Sequence, residues 1–188
     1  MRRILKEIAY QCRYAIPLWF VQFLTNWLPE NRVSTRIRGA LVAPFMGKCG
    51  RKLQLARYVT FLNSSGIKIG SNVYIATGCW VDGIGGLTIE DEVKVSPFVV
   101  ITTSSHCFKD NSVRFGGARA LPTRIGRGSW LASHVVVAAG VSIGSGTIVG
   151  ANAVVSGDLP DNVFAGGVPA KVIGPRVDKE PNLFSRFE

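Results

Sequence analysis

Counting in sixes from Leu55, the chain places an apolar residue at every marker position. The markers are Leu55 and Phe61, then Ile69, Ile75 and Val81, then Ile89, Val95 and Ile101; after a gap they resume at Ile125, Leu131, Val137, Ile143, Val149 and Val155. The residue after each is mostly small, as at Ala56, Gly70, Ala76, Ser96, Gly126, Ala132, Gly144 and Gly150. A period of six fits neither the 3.6 of a helix nor the 2.0 of a strand. It fits a parallel β-helix in which three hexads make one triangular coil, the markers filling the prism and the small residues letting the chain turn. Each coil then advances the stack by about 4.8 Å, the ordinary strand spacing. The repeat predicts an all-β domain over residues 55–176, closed by VFAGGVPAKVIGPR at 163–176.

The rhythm slips where a coil ends. Phe61 to Ile69 and Val81 to Ile89 are steps of eight, and Gly83, Gly85 and Gly86 lie in the second. Both slips are expected to bulge from one edge. The longer break, 107–124, is polar and basic, with Lys109, Arg114, Arg119 and Arg124, and is expected to leave the prism as an extended arm. Loops on a rigid scaffold are where function concentrates.

The charge of +10 is uneven: residues 1–57 hold eleven Lys or Arg against two Glu, whereas 58–188 are nearly neutral. The repeat therefore lacks the basic stripe of a nucleic-acid groove, and no nucleic-acid partner is expected. Residues 1–54 form an N-terminal segment, helical over 1–28 up to Pro29 and basic and irregular over 30–54. The apolar run from Ala15 to Leu28 is too short to span a bilayer. Two readings of residues 1–28 stand open: a cap on the first coil, or a peripheral contact with an anionic membrane face. Four cysteines (Cys12, Cys49, Cys79, Cys107) without a CxxC pair fit a reducing cytoplasm. Residues 177–188 read as a mobile tail.

There are two histidines. His106 ends its coil directly before the arm, and His134 sits mid-hexad facing outward. Two cannot supply the three-histidine zinc site of a β-helix carbonic anhydrase, and no metal is expected. Cys107 is a poor partner for His106, because neighbouring strand residues point to opposite faces.

ITTSSH (101–106), the arm, and IGRGSWLASHVVVAAGVSIGSGTIVGANAVVSGDLPDNVFAGGVPAKVIG (125–174) together resemble the hexapeptide-repeat acetyltransferases. Within them the chain is similar to the sugar O-acetyltransferases: galactoside, maltose and nodulation-factor enzymes and the modifiers of capsule and O-antigen. The resemblance implies a left-handed β-helix, a homotrimer with sites between neighbouring prisms, acetyl-CoA as co-substrate and a sugar or glycan acceptor. It implies His106 as general base, imidazole being the side chain whose basic form is available near neutral pH. Ser133 would contact the acyl group and its oxyanion. Trp130 would line the pantetheine channel, and Ala151, Ser156, Gly157, Lys171 and Arg176 would contact the coenzyme. Ala76 stands where the galactoside and maltose enzymes carry an Asn that binds the reacting hydroxyl. Asp82 is left with three roles: orienting His106, binding a substrate hydroxyl, or closing its own turn. The reading is an acetyl-CoA-dependent O-acetyltransferase acting on a surface polysaccharide or its precursor. Its rivals are transfer to an amino sugar nucleotide or an antibiotic, and a non-catalytic β-helix scaffold.

Overall fold

The computed structural model describes residues 2–178, so the expected tail lies, beyond 178, outside the described residues. Three sheets form the walls of a β-solenoid. Face A begins at Lys48–Cys49 and adds Ile67–Ile69, Leu87–Ile89, Thr123–Ile125 and Ser142–Ile143. Face B runs from Gln54–Leu55 to Val163–Gly166, and face C from Thr60–Leu62 to Val154–Val155. The coils stack in parallel register, as in Ile69 on Ile89 and Leu131 on Val149. The amide after each marker donates to the next coil, for example Ala76 N to Val95 O (2.9 Å) and Gly126 N to Ile143 O (2.8 Å).

The markers are buried as expected, with one exception. Phe61 is half-buried. The first coil has no coil before it; the N-terminal helices meet it at Leu53, Leu55 and Val59 instead, and Phe61 packs partly buried against the same core. A second buried row stands two residues before each marker, at Leu53, Val59, Val73, Val93, Val99, Val135 and Ala153. Strand alternation requires it, since i and i−2 share a face. Cys79 belongs to this row, and burial pushes its thiol up to about 11. Alkylation of the folded protein at pH 8 should label exposed Cys12 and spare Cys79, with both labelled after unfolding; mass mapping of the labelled peptides checks this.

The slips share an edge, the one between faces C and A. Leu62 pairs with Asp82, the Asn63 side-chain amide donates to Gly83 O (3.0 Å), and Gly86 takes a positive φ of 92° that a side chain would resist. Residues 107–122 leave from the same edge, between Ile101 on face C and Ile125 on face A.

The N-terminal part is helical, as expected over 1–28, so the chain as a whole is a β-solenoid with a helical cap. α1 (Arg2–Tyr10) passes through a π-turn at Gln11–Ala15 into α2 (Ile16–Thr25). Pro17 falls inside this continuous helix, directly after the π-turn in which Ile16 N donates to Gln11 O, the irregularity a proline without an N–H brings to a helix interior. The segment expected to be irregular holds α3 (Arg32–Val42), started by Asn31, whose side chain accepts from Ser34 N (2.9 Å). α3 buries Ser34, Thr35, Arg38, Gly39 and Val42. At Gly39 a Cβ would collide with the Leu53 carbonyl, so glycine lets helix and coil touch. Leu18 and Val42 join the solenoid core, and the first coil is capped.

Candidate active site

The break in the hexads is a hairpin rather than a free arm. Ser104–His106 pairs antiparallel with Ala118–Ala120, and His106 stands opposite Ala118. At the tip, Asp110 and Asn111 both have positive φ between the bridged Lys109 and Ser112. Such a two-residue turn closes a tight hairpin. The Asp-Asn pair was the sequence signal for it.

His106 is exposed at the root of this hairpin. It lines a concavity of about 500 Å³ with Val113, Arg114, Gly117 and Ala118, and among the described residues this lining holds no carboxylate. Arg114 therefore joins His106, a placement the sequence marked only by the basic composition of the break. His134 lies elsewhere, on the corner between faces B and C, exposed, with φ +62° and its ring stacked on Phe98 at 5.2 Å.

Asp82 is turned inward. It is 2% exposed, and its oxygens accept from Ile84 N (2.7 Å), Thr103 N (3.0 Å) and Ser104 Oγ (3.1 Å). These three bonds close the turn that follows Asp82 and tie it to the next coil. Its carboxylate fastens the slip at 83–86 to the start of the strand that ends in His106. Asp82→Ala leaves the buried Thr103 N–H without an acceptor and should lower stability by about 1–3 kcal/mol, measurable by thermal denaturation.

The expected coenzyme residues occupy other parts of the prism. Trp130 projects from face B, 46% exposed, and its indole N–H donates to Ser96 Oγ (2.8 Å). Ser96 was noted only as a small residue after a marker, and its hydroxyl fixes the indole. Ser133 and Ala151 follow markers of face B at the B–C corner; Ser156 and Gly157 follow Val155 at the C–A edge. Lys171 is exposed in the closing strand Lys171–Pro175. The Arg176 guanidinium is already engaged, by Asp178 (2.8 Å) and by the Gly146 carbonyl (2.9 Å). These residues are spread over two edges and a face of one chain.

The outward columns differ in character. On face A the aligned residues are Lys48, Lys68, Thr88, Arg124 and Ser142, with Arg124 paired to Glu90 (2.7 Å). On face C they are Thr60, Trp80, Val100, Val136 and Val154. Face B runs Gln54, Tyr74, Lys94, Trp130, Ile148 and Phe164.

This fold and these sequences have relatives. The family profile for bacterial transferase hexapeptide repeats (six repeats) matches residues 122–157. The chain is 31% identical over 147 residues to galactoside O-acetyltransferase of Escherichia coli K12, covering 78% of this chain and 72% of that protein. It is 32% identical over 165 residues to WcaF of the same organism, a candidate colanic acid biosynthesis acetyltransferase, covering 88% and 89% of the two chains. A hexapeptide-repeat acetyltransferase of Vibrio cholerae, solved in complex with acetyl-CoA, superposes with a TM-score of 0.76 at 25% identity over 90% of this chain and 88% of that one. Fold and similarity together define an acyltransferase built on a β-solenoid. The chain belongs to the hexapeptide-repeat acetyltransferases.

Proposed function

We propose that the protein transfers acetyl from acetyl-CoA directly to a hydroxyl of a sugar in a surface polysaccharide or its precursor, with His106 as general base. The observation that carries this reading is the exposed His106 at the mouth of its hairpin concavity, in a chain so similar to two sugar-pathway acetyltransferases. The imidazole accepts the acceptor's hydroxyl proton as that oxygen attacks the thioester carbonyl. The tetrahedral oxyanion, met by Ser133, collapses to the acetyl ester, and the CoA sulfur leaves and takes up the proton. No acyl-enzyme forms. Trp130 lines the pantetheine path, Ala151, Ser156, Gly157 and Lys171 contact the coenzyme, and Arg176 reaches its phosphates only by exchanging Asp178 for them.

A left-handed winding and a homotrimer are part of the proposal. The column of face C, apolar from Trp80 to Val154, and the aromatic and apolar run of face B from Trp130 to Phe164 support assembly, because a closed ring joins two different surfaces of each copy. The same reading places the enzyme in the cytoplasm, with residues 1–28 at the inner membrane face.

The test is free-thiol release from acetyl-CoA with a panel of surface-glycan sugars, an amino sugar nucleotide and a hydroxylated antibiotic. Release that depends on a glycan sugar is expected. Release confined to the nucleotide or the antibiotic would move the acceptor class, and failure to bind acetyl-CoA would leave the scaffold.

A further inference from the structure

The helical cap has two sides, and the protein uses one. α2 turns Leu18 and Thr25 inward, and Gln22 donates to Val59 O (2.6 Å). A helix advances about 100° per residue, so Ile16, Trp19, Phe20, Phe23 and Leu24 centre on the opposite side, where each is at least half exposed. Trp27, just past α2, is 81% exposed. A helix apolar all round is ordinarily covered all round. α1 carries Ile4, Leu5 and Ile8 on one side, all exposed, with exposed Lys6 across from them. α3 adds an outward stripe of Val33, Ile37 and Leu41, flanked by exposed Arg32 and Arg36. So many large apolar side chains on one small cap exceed the scattered surface hydrophobics of an ordinary protein.

We propose that this outer side of α1, α2 and α3 is a docking surface for an anionic lipid bilayer, on which the enzyme lies and from which it takes a bilayer-anchored glycan acceptor. Charge selects the occupant. Residues 1–57 hold eleven cations against two carboxylates, and Glu30 is already spent on Arg38 and Arg57. A concavity of about 400 Å³ between α3 and the first coil is lined by Arg36 and Lys52, with no acidic residue among the described ones. An anionic leaflet complements that excess, whereas a second copy of the same cap would repel it. Tryptophan and phenylalanine on one side with Lys and Arg around them are the composition of a helix lying in the headgroup layer. Among the described residues no helix is long and apolar enough to cross a membrane, so the cap rests on the surface.

The solenoid then fixes the height of the site. His106 leaves the third coil, two coil steps of about 4.8 Å above the first, and a helix layer roughly 10 Å thick lies below that. The site so stands about 20 Å from the lipid, within reach of an oligosaccharide on a lipid carrier. This acceptor class rests on the acetyltransferase reading; the docking surface does not.

Flotation of the full chain separates the two. Vesicles of phosphatidylglycerol and phosphatidylcholine should carry the protein up the gradient, and vesicles of phosphatidylcholine alone should not. Raising NaCl from about 0.1 to 0.5 M should weaken binding. The triple change Trp19→Ser, Phe23→Ser and Trp27→Ser should lower partitioning about tenfold or more, with unaltered thermal denaturation. Lys6→Glu with Arg32→Glu and Arg36→Glu is a second set that leaves the apolar side intact and should also lose binding. Equal flotation of wild type and both sets, or none with anionic vesicles, would overturn the proposal. So would self-association of the wild type, seen by light scattering and lost in the triple variant, if no vesicle binding accompanies it. Thiol release with a soluble acceptor is read in parallel and does not depend on the docking surface.

Discussion

His106→Ala is expected to lower turnover by about 10²–10⁴-fold, the span general-base catalysis contributes. The side chain is exposed at the end of its strand, and the pairing with Ala118 is made by backbone. Stability should therefore hold within about 0.5 kcal/mol, as for other surface substitutions. Acetyl-CoA binding should also persist, since the residues assigned to the coenzyme lie on other parts of the prism. Because the proton moves only in the transition state, kcat and kcat/KM should fall together with KM nearly constant. Steady-state kinetics with calorimetric binding of acetyl-CoA read all three quantities. Turnover near that of wild type would sink the base assignment. A loss that appears only in KM would make His106 a binding group.

Arg38→Ala should produce the largest loss of stability, about 3–5 kcal/mol, a fall in Tm of roughly 10 °C for a chain this long. Arg38 is fully buried and joins three parts of the cap. Its guanidinium donates to Leu55 O of the first coil (2.6 Å) and to Thr25 O at the end of α2 (3.1 Å), and it lies 3.4 Å from Glu30. Glu30 in turn accepts from the backbone and side chain of Arg57, both at 3.1 Å. Alanine leaves the buried Leu55 carbonyl without a donor, takes one of two donors from Thr25 O, which keeps Leu28 N (3.1 Å), frees one arm of Glu30 and opens a void. Arg38→Met refills the volume without the donors and should recover only part of the loss. The Nε of Arg38 has no partner, so even the native arrangement is incompletely satisfied. Thermal denaturation of the three proteins checks the order, and a change below about 1 kcal/mol for alanine would mean the cap docks through apolar contact alone.

Most of the solenoid is legible in the chain because its rule is local. A marker every six residues, with alternation two residues earlier, sets which side chains enter the prism, and the steps of eight locate the edge where extra residues must go. The same counting put His106 where the chain leaves the coil, and the structure keeps it there beside a concavity. Other features depend on partners distant in sequence. Lys48–Cys49 is too short to declare itself a strand, and only pairing with Lys68 and Ile69 makes it one. α3 was hidden because Arg38 reads as a surface residue until Leu55, Thr25 and Glu30 surround it. Asp82 had three readings in the sequence, and only the fold brings Thr103 and Ser104, one coil on, to its oxygens.

The sequence by itself determined the period, the buried rows, the edge of the slips and the residue at the root of the break, since each follows from spacing along one strand path. The tertiary structure alone decided how the first coil is closed, which carboxylates are consumed inside the protein, and which side of the helices is left apolar and uncovered. Those outcomes turn on contacts between residues from 8 to 37 positions apart, where burial and hydrogen-bond partners are set by packing rather than by the neighbours in the chain.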